Sequence, residues 1–350
     1  MKDLFKIFRK FLYPLAILYD GVTQLRNKLY DRGLLTSYTF NFPIIAVGNL
    51  SVGGTGKTPM IEYLVRLLSS DYRLATLSRG YKRKSDGFVL ANATTLMEEI
   101  GDEPYQYYSK FSNITVAVDA DRVNGVEQIM NMKPSTEVVL LDDAYQHRKI
   151  SAGFYILLTA YDELYVNDYV LPAGNLRESR CNAQRSDVIV VTKCPANLSL
   201  REQKSVVNKI NLPNKSVFFT TISYAPEIFN TNSRILINDL KDDYIAVAGI
   251  AKPAYFFNHL KLTSERYLTF PDHHHFSEED ILRILEKANG RKVVTTEKDY
   301  MRLKTLIDSS QLYFLPIEIK FLSEAEKFNQ IVKEYVGKNS RNSSIFKTKK

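Results

Sequence analysis

One stretch decides the fold of this chain, and it reads Gly48-Asn49-Leu50-Ser51-Val52-Gly53-Gly54-Thr55-Gly56-Lys57-Thr58-Pro59. The apolar run 44–47 before it predicts a buried strand, and the apolar periodicity of 60–68 after it predicts a helix. A glycine-rich turn in this setting is typical of a P-loop, because backbone amides and the helix N-terminus then face a phosphate. A plain glycine-rich turn is the alternative, and the flanking strand and helix disfavour it. Ser51 stands where the standard pattern has glycine, but its glycine neighbours still permit a tight turn.

The P-loop interpretation gives the residues of the stretch separate tasks. Lys57 is expected to contact the β- and γ-phosphates, and the Thr58 hydroxyl is expected to bind Mg²⁺. Lys193 follows the strand-like run 188–192 as the base-reading lysine of GTPases does, but Pro195 stands where that motif needs aspartate. We therefore expect ATP with Mg²⁺. The predicted nucleotide contacts are Ser51, Val52, Gly53, Gly54, Thr55, Gly56, Lys57 and Thr58.

The composition is that of a globular protein with a basic surface. The chain has 350 residues, 45% of them hydrophobic and 25% charged, with a formal net charge of +8. This length predicts two domains, and the positive charge favours an anionic partner such as a nucleotide, a phosphorylated substrate or an anionic lipid. Cys181 and Cys194 lack metal or disulfide spacing, which indicates a reduced cytosolic compartment. Because the charge is dispersed and no nucleic-acid motif is present, no nucleic-acid partner is expected.

An amphipathic helix is predicted at the N-terminus, where apolar residues recur at steps of four and three. Basic residues lie off this stripe, and Pro14 fits a first helical turn. The longest apolar run, 11–19, is far shorter than the roughly 20 residues that span a bilayer. A helix lying in the membrane interface and a helix packed on its own domain both fit the pattern. The stripe consists of Leu4, Phe8, Phe11, Leu15, Leu18, Val22 and Leu25.

A second acidic element follows the P-loop in the sequence. The apolar run 138–141 predicts a buried strand, and the strand ends in Asp142 and Asp143. Two carboxylates at the end of such a strand are typical of a Walker B element that binds Mg²⁺. The next segment, Gln146-His147-Arg148, adds a titratable group and a cation. Any strand can end in aspartate, but the P-loop upstream favours the metal-binding interpretation.

Three further segments carry candidate polar groups. Asp86-Gly87 between short strand-like runs predicts a hairpin, whose basic arm 79–84 suits an anion or is a solvated turn. Asp102 is a natural helix N-cap ahead of Pro104. The consecutive histidines 273–275 could bind a metal. Since adjacent residues seldom converge on one ion, a single histidine reaching into an active site is the favoured interpretation.

Together these segments resemble one family, the tetraacyldisaccharide 4′-kinases, which are the lipid A 4′-kinases of Gram-negative bacteria. The match runs in family order from about 45 to 300, and Ser51 agrees with the family. The departures are Ala144-Tyr145, where the family usually has Gly-Phe, and Ser179, where it usually has proline. The stretches that carry the resemblance are 47–59, Ser78-Arg79-Gly80-Tyr81, Gly101-Asp102-Glu103-Pro104, 142–148, Leu171-Pro172-Ala173-Gly174, Leu176-Arg177-Glu178, Asp272-His273 and Thr295-Thr296-Glu297-Lys298-Asp299.

The resemblance implies an α/β protein with a P-loop NTPase-type domain, whose sheet is mostly parallel, and a smaller α/β C-terminal domain. The expected divisions are the helix 1–30, the kinase core 31–225, the C-terminal domain 226–338 and a disordered basic tail 339–350. The implied reaction moves the γ-phosphoryl of ATP to the 4′-hydroxyl of tetraacyldisaccharide 1-phosphate, giving lipid IVA. The implied location is peripheral, on the anionic cytoplasmic face of the inner membrane, with no obligate protein partner evident.

The resemblance also implies roles for single residues. Asp102 matches the catalytic base and His273 its partner in an Asp–His pair, with Lys57 as the third catalytic group. A loose phosphoryl-transfer transition state needs little deprotonation at the start, so positioning of Asp102 can suffice. The predicted metal-site residues are Thr58, Asp142, Asp143, Gln146, His147 and Glu178. The predicted substrate contacts are Arg79, Tyr81 and Asn49, with Arg79 assigned to the 1-phosphate.

A second class of protein suits the P-loop and the acidic strand end equally well. It is a nucleotide-switch or partition-type ATPase, which hydrolyses ATP to change binding partners. That class gives no reason for an acyl-facing N-terminal helix or for an Asp102–His273 pair.

Overall fold

The computed structural model describes residues 9, 11–241, 243–339 and 347–349. The chain forms two compact units, the first of Met1–Ile222 with Ile319–Lys350 and the second of Ser223–Glu318. The predicted stripe residues Leu4 and Phe8, and most of the predicted basic tail, lie outside the described residues.

Strands alternate with helices along most of the chain. The strands are β1 (Tyr38–Phe40), β2 (Ile44–Asn49), β3 (Leu74–Ser78), β4 (Val89–Leu90), β5 (Thr115–Val118), β6 (Val138–Asp142), β7 (Phe154–Ala160), β8 (Val188–Thr192), β9 (Ser216–Tyr224), β10 (Glu227–Phe229), β11 (Arg234–Leu236), β12 (Tyr244–Ala248), β13 (Tyr267–Thr269), β14 (Lys292–Thr296), β15 (Leu312–Leu315), β16 (Ile317–Phe321) and β17 (Lys347–Lys349).

The helices fall between these strands and at the N-terminus. The α-helices are α1 (Tyr13–Asp31), α2 (Lys57–Leu68), α3 (Met97–Ile100), α4 (Asp102–Lys110), α5 (Arg122–Met132), α6 (Leu200–Ile210), α7 (Ala254–His259), α8 (Glu278–Ala288), α9 (Glu297–Leu303) and α10 (Ala325–Asn339). Short 3₁₀ helices cover Tyr165–Asn167, Arg180–Arg185, Ile237–Leu240 and Ser264–Arg266.

A nine-stranded sheet lies at the centre of the first unit, in the order β16-β9-β8-β7-β2-β6-β3-β5-β4. The neighbours from β9 through β5 are parallel, and the edge strand β4 runs antiparallel to β5. The strands read as apolar runs because both faces of the sheet are covered. Met60 of α2 packs in the core on one face, and Val126 of α5 packs in the core on the other. The predicted P-loop NTPase-type α/β domain with a mostly parallel sheet is confirmed.

The topology brings the two predicted nucleotide elements to one edge of this sheet. Strand β2 lies beside β6, with Val47 opposite Asp142. Since parallel strands end at the same edge, the P-loop and the acidic pair emerge side by side. Gly48 permits this approach, because a Cβ there would lie 2.7 Å from the Cβ of Tyr145.

The predicted hairpin around Asp86-Gly87 is wrong. The segment 79–88 is a loop of turns, and β4 after it pairs with β5 instead. Lys82 turns the chain with a positive φ of 58°. Lys84 then bonds to Glu98 of α3 through both its backbone N–H and its ammonium group. These contacts to the next helix replace the ladder that a hairpin would need.

A six-stranded sheet forms the centre of the second unit, in the order β11-β10-β15-β14-β12-β13. The four strands from β15 to β13 are parallel neighbours, whereas β10 runs antiparallel to both β15 and β11. Helix α8 begins with a capping box, in which Ser277 and Asp280 bond to each other's backbone N–H. The second unit is therefore the smaller α/β domain that the sequence indicated.

The last helix, α10, belongs to the first unit. The sequence interpretation placed it in the C-terminal domain, which was expected to extend to residue 338. In the structure, its Phe328, Val332 and Val336 are buried in the same core as residues of α2 and of the nine-stranded sheet. The Tyr335 hydroxyl also bonds to the backbone of Ile44 in β2. An apolar stripe predicts a helix, but it does not say which core the helix completes.

Helix α1 exposes the apolar stripe that the sequence predicted. Pro14 lies in its first turn, as expected. The opposite side contributes Asn27, which is only 4% exposed. No helix within the described ranges is long and apolar enough to cross a membrane. The exposed side chains of the stripe within the helix are Leu15 at 56%, Leu18 at 67%, Val22 at 60% and Leu25 at 59%, and Phe11 just before the helix is 76% exposed.

Candidate active site

The P-loop runs from β2 into α2. Gly56 precedes the helix with a φ of 89°, a left-handed conformation that suits glycine. The Lys193 ammonium donates to the Gly54 carbonyl at 2.5 Å, and the Thr192 hydroxyl donates to the Thr55 carbonyl at 2.7 Å. The end of β8 therefore fixes two P-loop carbonyls. Lys193, which stands at the base-reading position of GTPases, binds the loop itself.

Asp142 is the last residue of β6 and is 6% exposed. Its Oδ2 accepts hydrogen bonds from the Tyr107 hydroxyl at 3.1 Å and the Ser78 hydroxyl at 3.4 Å. Its Oδ1 is buried and has no hydrogen-bond partner among the described residues. Burial, and then the charge of Glu103, raise the pKa of this carboxyl to about 6. A buried carboxylate with one oxygen unsatisfied is an arrangement that a cation would stabilise.

Asp143, the next residue, lies in the opposite electrostatic environment. Its Oδ1 is 3.7 Å from Nζ of Lys57. Arg177 donates to both carboxylate oxygens, with Nη2 at 2.7 Å and Nη1 at 3.1 Å. Burial acts to raise the pKa of Asp143, but Lys57 and Arg177 outweigh it and lower that pKa to about 2. Two adjacent carboxyls therefore have well-separated pKa values, which is typical of sites with divided roles.

Glu178 is 3% exposed and its carboxylate is fully engaged. Arg185 donates to both oxygens at 3.0 and 2.8 Å, and Gln146 Nε2 and Asn27 Nδ2 each donate at 2.9 Å. Gln146 also donates to the Asn49 carbonyl at 2.8 Å. Glu178 thus joins the Asp142 loop, helix α1 and the P-loop strand. Direct coordination of a metal by Glu178 stays a prediction, and these bonds point to a structural task.

His147 lies in the same turn, and its Nε2 is buried without a hydrogen-bond partner in the described part of the chain. Burial, and then the charge of Arg122, lower the pKa of His147 to about 4. No group of three or more His, Cys, Asp or Glu side chains within the described residues is arranged to hold a metal ion. The six predicted metal-site residues therefore do not form a ready-made metal cage, and a metal there would need phosphate oxygens as further ligands.

Asp102 begins helix α4 and is half-buried. It was expected to be the N-cap, but Gly101 occupies that position with φ 90° and ψ 166°, and no side chain caps the helix. The helix begins directly after Gly101, whose positive φ, accessible to glycine, makes the turn into it. Asp102 is thereby the first helical residue, where a negative charge is stabilised by the helix dipole.

The three predicted substrate contacts lie in different environments. Asn49 is fully buried and accepts from Arg177 through its side-chain oxygen. Arg79 and Tyr81 are exposed on the loop after β3. Of the three, only Arg79 and Tyr81 are accessible to a large acceptor, whereas the buried Asn49 holds the side chain of Arg177. Asp102 lies in the first unit and His273 in the second.

His273 has a positive φ of 57° and lies after β13. Nη2 of Arg302 lies 3.2 Å from its Nδ1. His274 pairs instead with Asp280 at 2.8 Å, and His275 is exposed. The three histidines therefore have different surroundings, and the role of a single functional histidine stays a prediction.

The sequence did not single out three residues that organise the site, of which Tyr107 and Arg122 are buried and Arg177 is half-buried. Arg177 was quoted only as part of a motif, although it bonds to both Asp143 and Asn49. Tyr107 bonds to both Asp142 and the Thr58 side chain. Arg122 is 2% exposed and donates to the Asp142 carbonyl at 3.4 Å.

Comparisons with known proteins cover nearly the whole chain. The family described as Tetraacyldisaccharide-1-P 4'-kinase matches residues 8–337. The tetraacyldisaccharide 4'-kinase of Flavobacterium johnsoniae is 54% identical over 335 residues, or 95% of this chain and 98% of the relative. That of Bacteroides thetaiotaomicron is 44% identical over 371 residues, or 99% of this chain and 98% of the relative. The crystal structure of the "apo" form of LpxK from Aquifex aeolicus in complex with ATP is 31% identical, with a TM-score of 0.75 over 94% of this chain and 99% of that one.

The parallel sheet, the P-loop and the divided acid pair define a nucleotide-binding enzyme of the P-loop class. Within that class, the chain belongs to the tetraacyldisaccharide-1-phosphate 4′-kinase family. It is therefore a kinase with an alcohol group as its acceptor, and the switch-type ATPase is the disfavoured alternative.

Proposed function

We propose that this chain transfers the γ-phosphoryl group of ATP to the 4′-hydroxyl of a tetraacylated glucosamine disaccharide 1-phosphate, giving ADP and lipid IVA. The acceptor oxygen bonds to the γ-phosphorus, the bond from that phosphorus to the β,γ-bridging oxygen breaks, and the hydroxyl proton passes to a base. The proposal rests on the divided acid pair, Asp142 and Asp143, beside the P-loop lysine in a chain of this kinase family.

Lys57 has the position and freedom that a phosphate contact requires. Its ammonium is 3.7 Å from Asp143, longer than a close ion pair, and its side chain is 21% exposed. The Arg177 fork holds Asp143 independently of the lysine. Lys57 can therefore turn to the β- and γ-phosphates without leaving Asp143 unpaired, while the P-loop amides and the N-terminus of α2 bind the phosphate chain.

Mg²⁺ fits the donor set at the end of β6. Carboxylate and hydroxyl oxygens suit this ion, which also keeps phosphate and water ligands. The unpartnered Asp142 Oδ1 and the Thr58 hydroxyl are the groups we assign to it, and the Tyr107 hydroxyl bonds to both of these side chains. When bound, the ion would neutralise charge that develops on the phosphates. Glu178, Gln146 and His147 would then support the metal site from outside.

Asp102 is the base of the proposed reaction, and the family resemblance assigns His273 as its partner in an Asp–His pair. The base assignment follows from the family motif and from the placement of Asp102 at the N-terminus of α4. Helix α4 also carries Tyr107, which bonds to Asp142. One rigid helix thus connects the proposed base with the proposed metal ligand. Such pre-organisation is what a reaction with a loose transition state requires of its enzyme.

The acceptor would reach this site from an anionic membrane surface, on the cytoplasmic face of the inner membrane. The apolar side of α1 is exposed, while Tyr19 and Asn27 on the same helix donate hydrogen bonds to the loop segment Arg177-Glu178. An exposed apolar stripe flanked by basic residues suits a helix in the membrane interface. Arg79, exposed near the P-loop edge, is the cation we assign to the 1-phosphate of the substrate.

The Asp102→Ala variant tests the proposed chemistry. Turnover of the lipid acceptor should fall by orders of magnitude while the Kd for ATP, from calorimetry, stays within about twofold, because the proposed base acts on the acceptor hydroxyl and not on the nucleotide. Asp71→Ala, which removes a surface partner of Lys333, is the matched control and should retain wild-type turnover. Near-wild-type turnover of Asp102→Ala would remove Asp102 from the base role.

A further inference from the structure

The second unit contains a buried ion pair that the proposed reaction does not yet use. Asp299 is 0% exposed and Arg302 is 8% exposed, and Nη1 of the arginine donates to Oδ1 of the aspartate at 3.1 Å. The other oxygen, Oδ2, accepts from the Gly249 N–H at 2.8 Å and the Thr296 hydroxyl at 2.7 Å. Replacing a buried ion pair by apolar residues often costs little stability, so its presence calls for a reason besides stability.

The second arm of the guanidinium supplies that reason. Nη2 of Arg302 lies 3.2 Å from Nδ1 of His273. A guanidinium has only donors, so Nδ1 must be the acceptor of this hydrogen bond. A neutral imidazole carries one proton, which then resides on Nε2. The arginine thereby selects one of the two tautomers of His273.

The neighbouring groups leave this assignment intact. The Asp272 carboxylate is 3.9 Å from Nε2 of His273, which is beyond hydrogen-bond range. His274 has its own partner in Asp280 and stacks on Phe270. Of the groups that these contacts identify, Arg302 is the one that sets the tautomer of His273.

We propose that Arg302 and Asp299 are positioning residues that hold His273 as the Nε2–H tautomer, with Nε2–H as a donor to a carboxylate. Asp299 fixes Arg302 through one arm of the fork, and Arg302 fixes the imidazole through the other. A donor at Nε2 can orient a carboxylate base without taking its proton. The use of this donor in the reaction rests on the proposed function, whereas the contacts that join Asp299, Arg302 and His273 lie within the second unit.

NMR of the full chain with isotope-labelled histidines tests the tautomer without any substrate. The signals of His273 are assigned by their loss in His273→Ala. In the wild type at mildly alkaline pH, its protonated nitrogen should be Nε2. In Arg302→Met, the ring should shift toward a mixture of tautomers, and Arg302→Lys should restore part of the Nε2–H population. An Nδ1–H ring in the wild type, or an unchanged tautomer in Arg302→Met, would overturn the proposal.

Kinetics then test the positioning role. Arg302→Met should lower kcat by about 10- to 100-fold with little change in the KM for ATP, because a misdirected group slows the chemical step. Arg291→Met is the matched control, since the Arg291 side chain in the same unit donates to helix-end carbonyls at 2.9 and 2.8 Å. Wild-type kcat in folded Arg302→Met overturns the positioning role. If Arg302→Met loses the Nε2–H tautomer but the wild type does not phosphorylate the lipid, the proposed reaction fails while the tautomer assignment stands.

Discussion

The first and second units each place a buried carboxylate near the end of a parallel strand, and the two carboxylates differ in what surrounds them. Asp142 follows β6, and Asp299 lies in the helix that follows β14. Arg177 bonds to Asp143, the neighbour of Asp142, and Arg302 bonds to Asp299 itself. Each arginine also contacts a residue with positive φ, which is Asp143 for Arg177 and His273 for Arg302. The local designs are similar although the sheets are unrelated in strand order.

The difference lies in hydrogen-bond satisfaction. Both oxygens of Asp299 have partners, whereas Oδ1 of Asp142 has none among the described residues. A satisfied buried carboxylate stabilises the groups around it, and an unsatisfied one carries a cost until a ligand arrives. Burial alone therefore does not identify a ligand site. The unpartnered oxygen of Asp142 indicates a ligand-binding carboxylate, whereas the full set of hydrogen bonds to Asp299 indicates a structural one.

The same substitution at both positions should separate these roles. Asp142→Asn should lower turnover by about 100- to 1000-fold, the size of effect seen when one preorganised electrostatic group is removed. It should leave the melting temperature of the ligand-free protein unchanged or raised at neutral pH, because it removes a poorly compensated buried charge. Asp299→Asn should destabilise the protein by about 1–3 kcal/mol through lost acceptors. Both effects can be measured by thermal unfolding and by steady-state kinetics.

Asp308→Asn is a suitable control for this pair, because Asp308 is an exposed carboxylate that bonds to Ser310 in a surface turn. The distinction between ligand and scaffold would be contradicted if Asp142→Asn lowered the melting temperature as much as Asp299→Asn did. It would also be contradicted if Asp142→Asn kept wild-type turnover.

The pH dependence of stability should show the Asp142 charge directly. Its pKa in the folded protein is raised from 3.8 to about 6, so the folded state binds the proton more tightly. The stabilisation is then complete below an unfolded pKa near 4 and is lost as the pH rises through about 6. The free energy of unfolding of ligand-free wild type should therefore fall across this window. In Asp142→Asn that decline should be absent, and an equal slope in both proteins would be inconsistent with the raised pKa.

Asp143 should act in the opposite direction and at lower pH. Because its pKa is lowered from 3.8 to about 2, its stabilising contribution is present above 3.8 and is lost as the pH falls toward 2. The two neighbours therefore predict opposing slopes in separate pH windows. In Asp143→Asn, the free energy of unfolding measured against pH should lack only the slope in the lower pH window.

A smaller effect is expected when the hydrogen bond between Asn27 of α1 and Glu178 is removed. Asn27→Ala removes one of the donors to Glu178 but leaves the Arg185 fork, so turnover should fall only about 3- to 10-fold and stability by about 1 kcal/mol. Gln24→Ala is the matched control, since Gln24 on the same helix bonds to Asp20. Identical kinetics for the two variants would show that α1 does not support the site through Asn27.

The sequence was most informative where chemistry and local structure coincide. The strand, glycine-rich turn and helix around Lys57 predicted the P-loop, and an apolar strand ending in Asp142 and Asp143 predicted the neighbouring acids. Each of these signals lies within about a dozen residues. The parallel sheet then brings the two together by a rule of topology.

The remaining parts of the site depend on contacts between distant positions. Arg177 reaches Asn49 across 128 positions of sequence, and Asn27 reaches Glu178 across 151. No periodicity encodes such pairs. The same reason explains why α10 was assigned to the wrong core and why the contacts of Lys84 were missed. Local patterns predict an element, whereas the partner of its side chains is decided by the assembled fold.

Transfer of label from γ-radiolabelled ATP to tetraacyldisaccharide 1-phosphate in detergent micelles tests the proposed function most directly. Label is expected to appear in the lipid only when Mg²⁺ is present, to fall by orders of magnitude in Asp102→Ala and Asp142→Asn, and to be retained in Asp71→Ala. Release of the label only as inorganic phosphate, with none in the lipid, would contradict it.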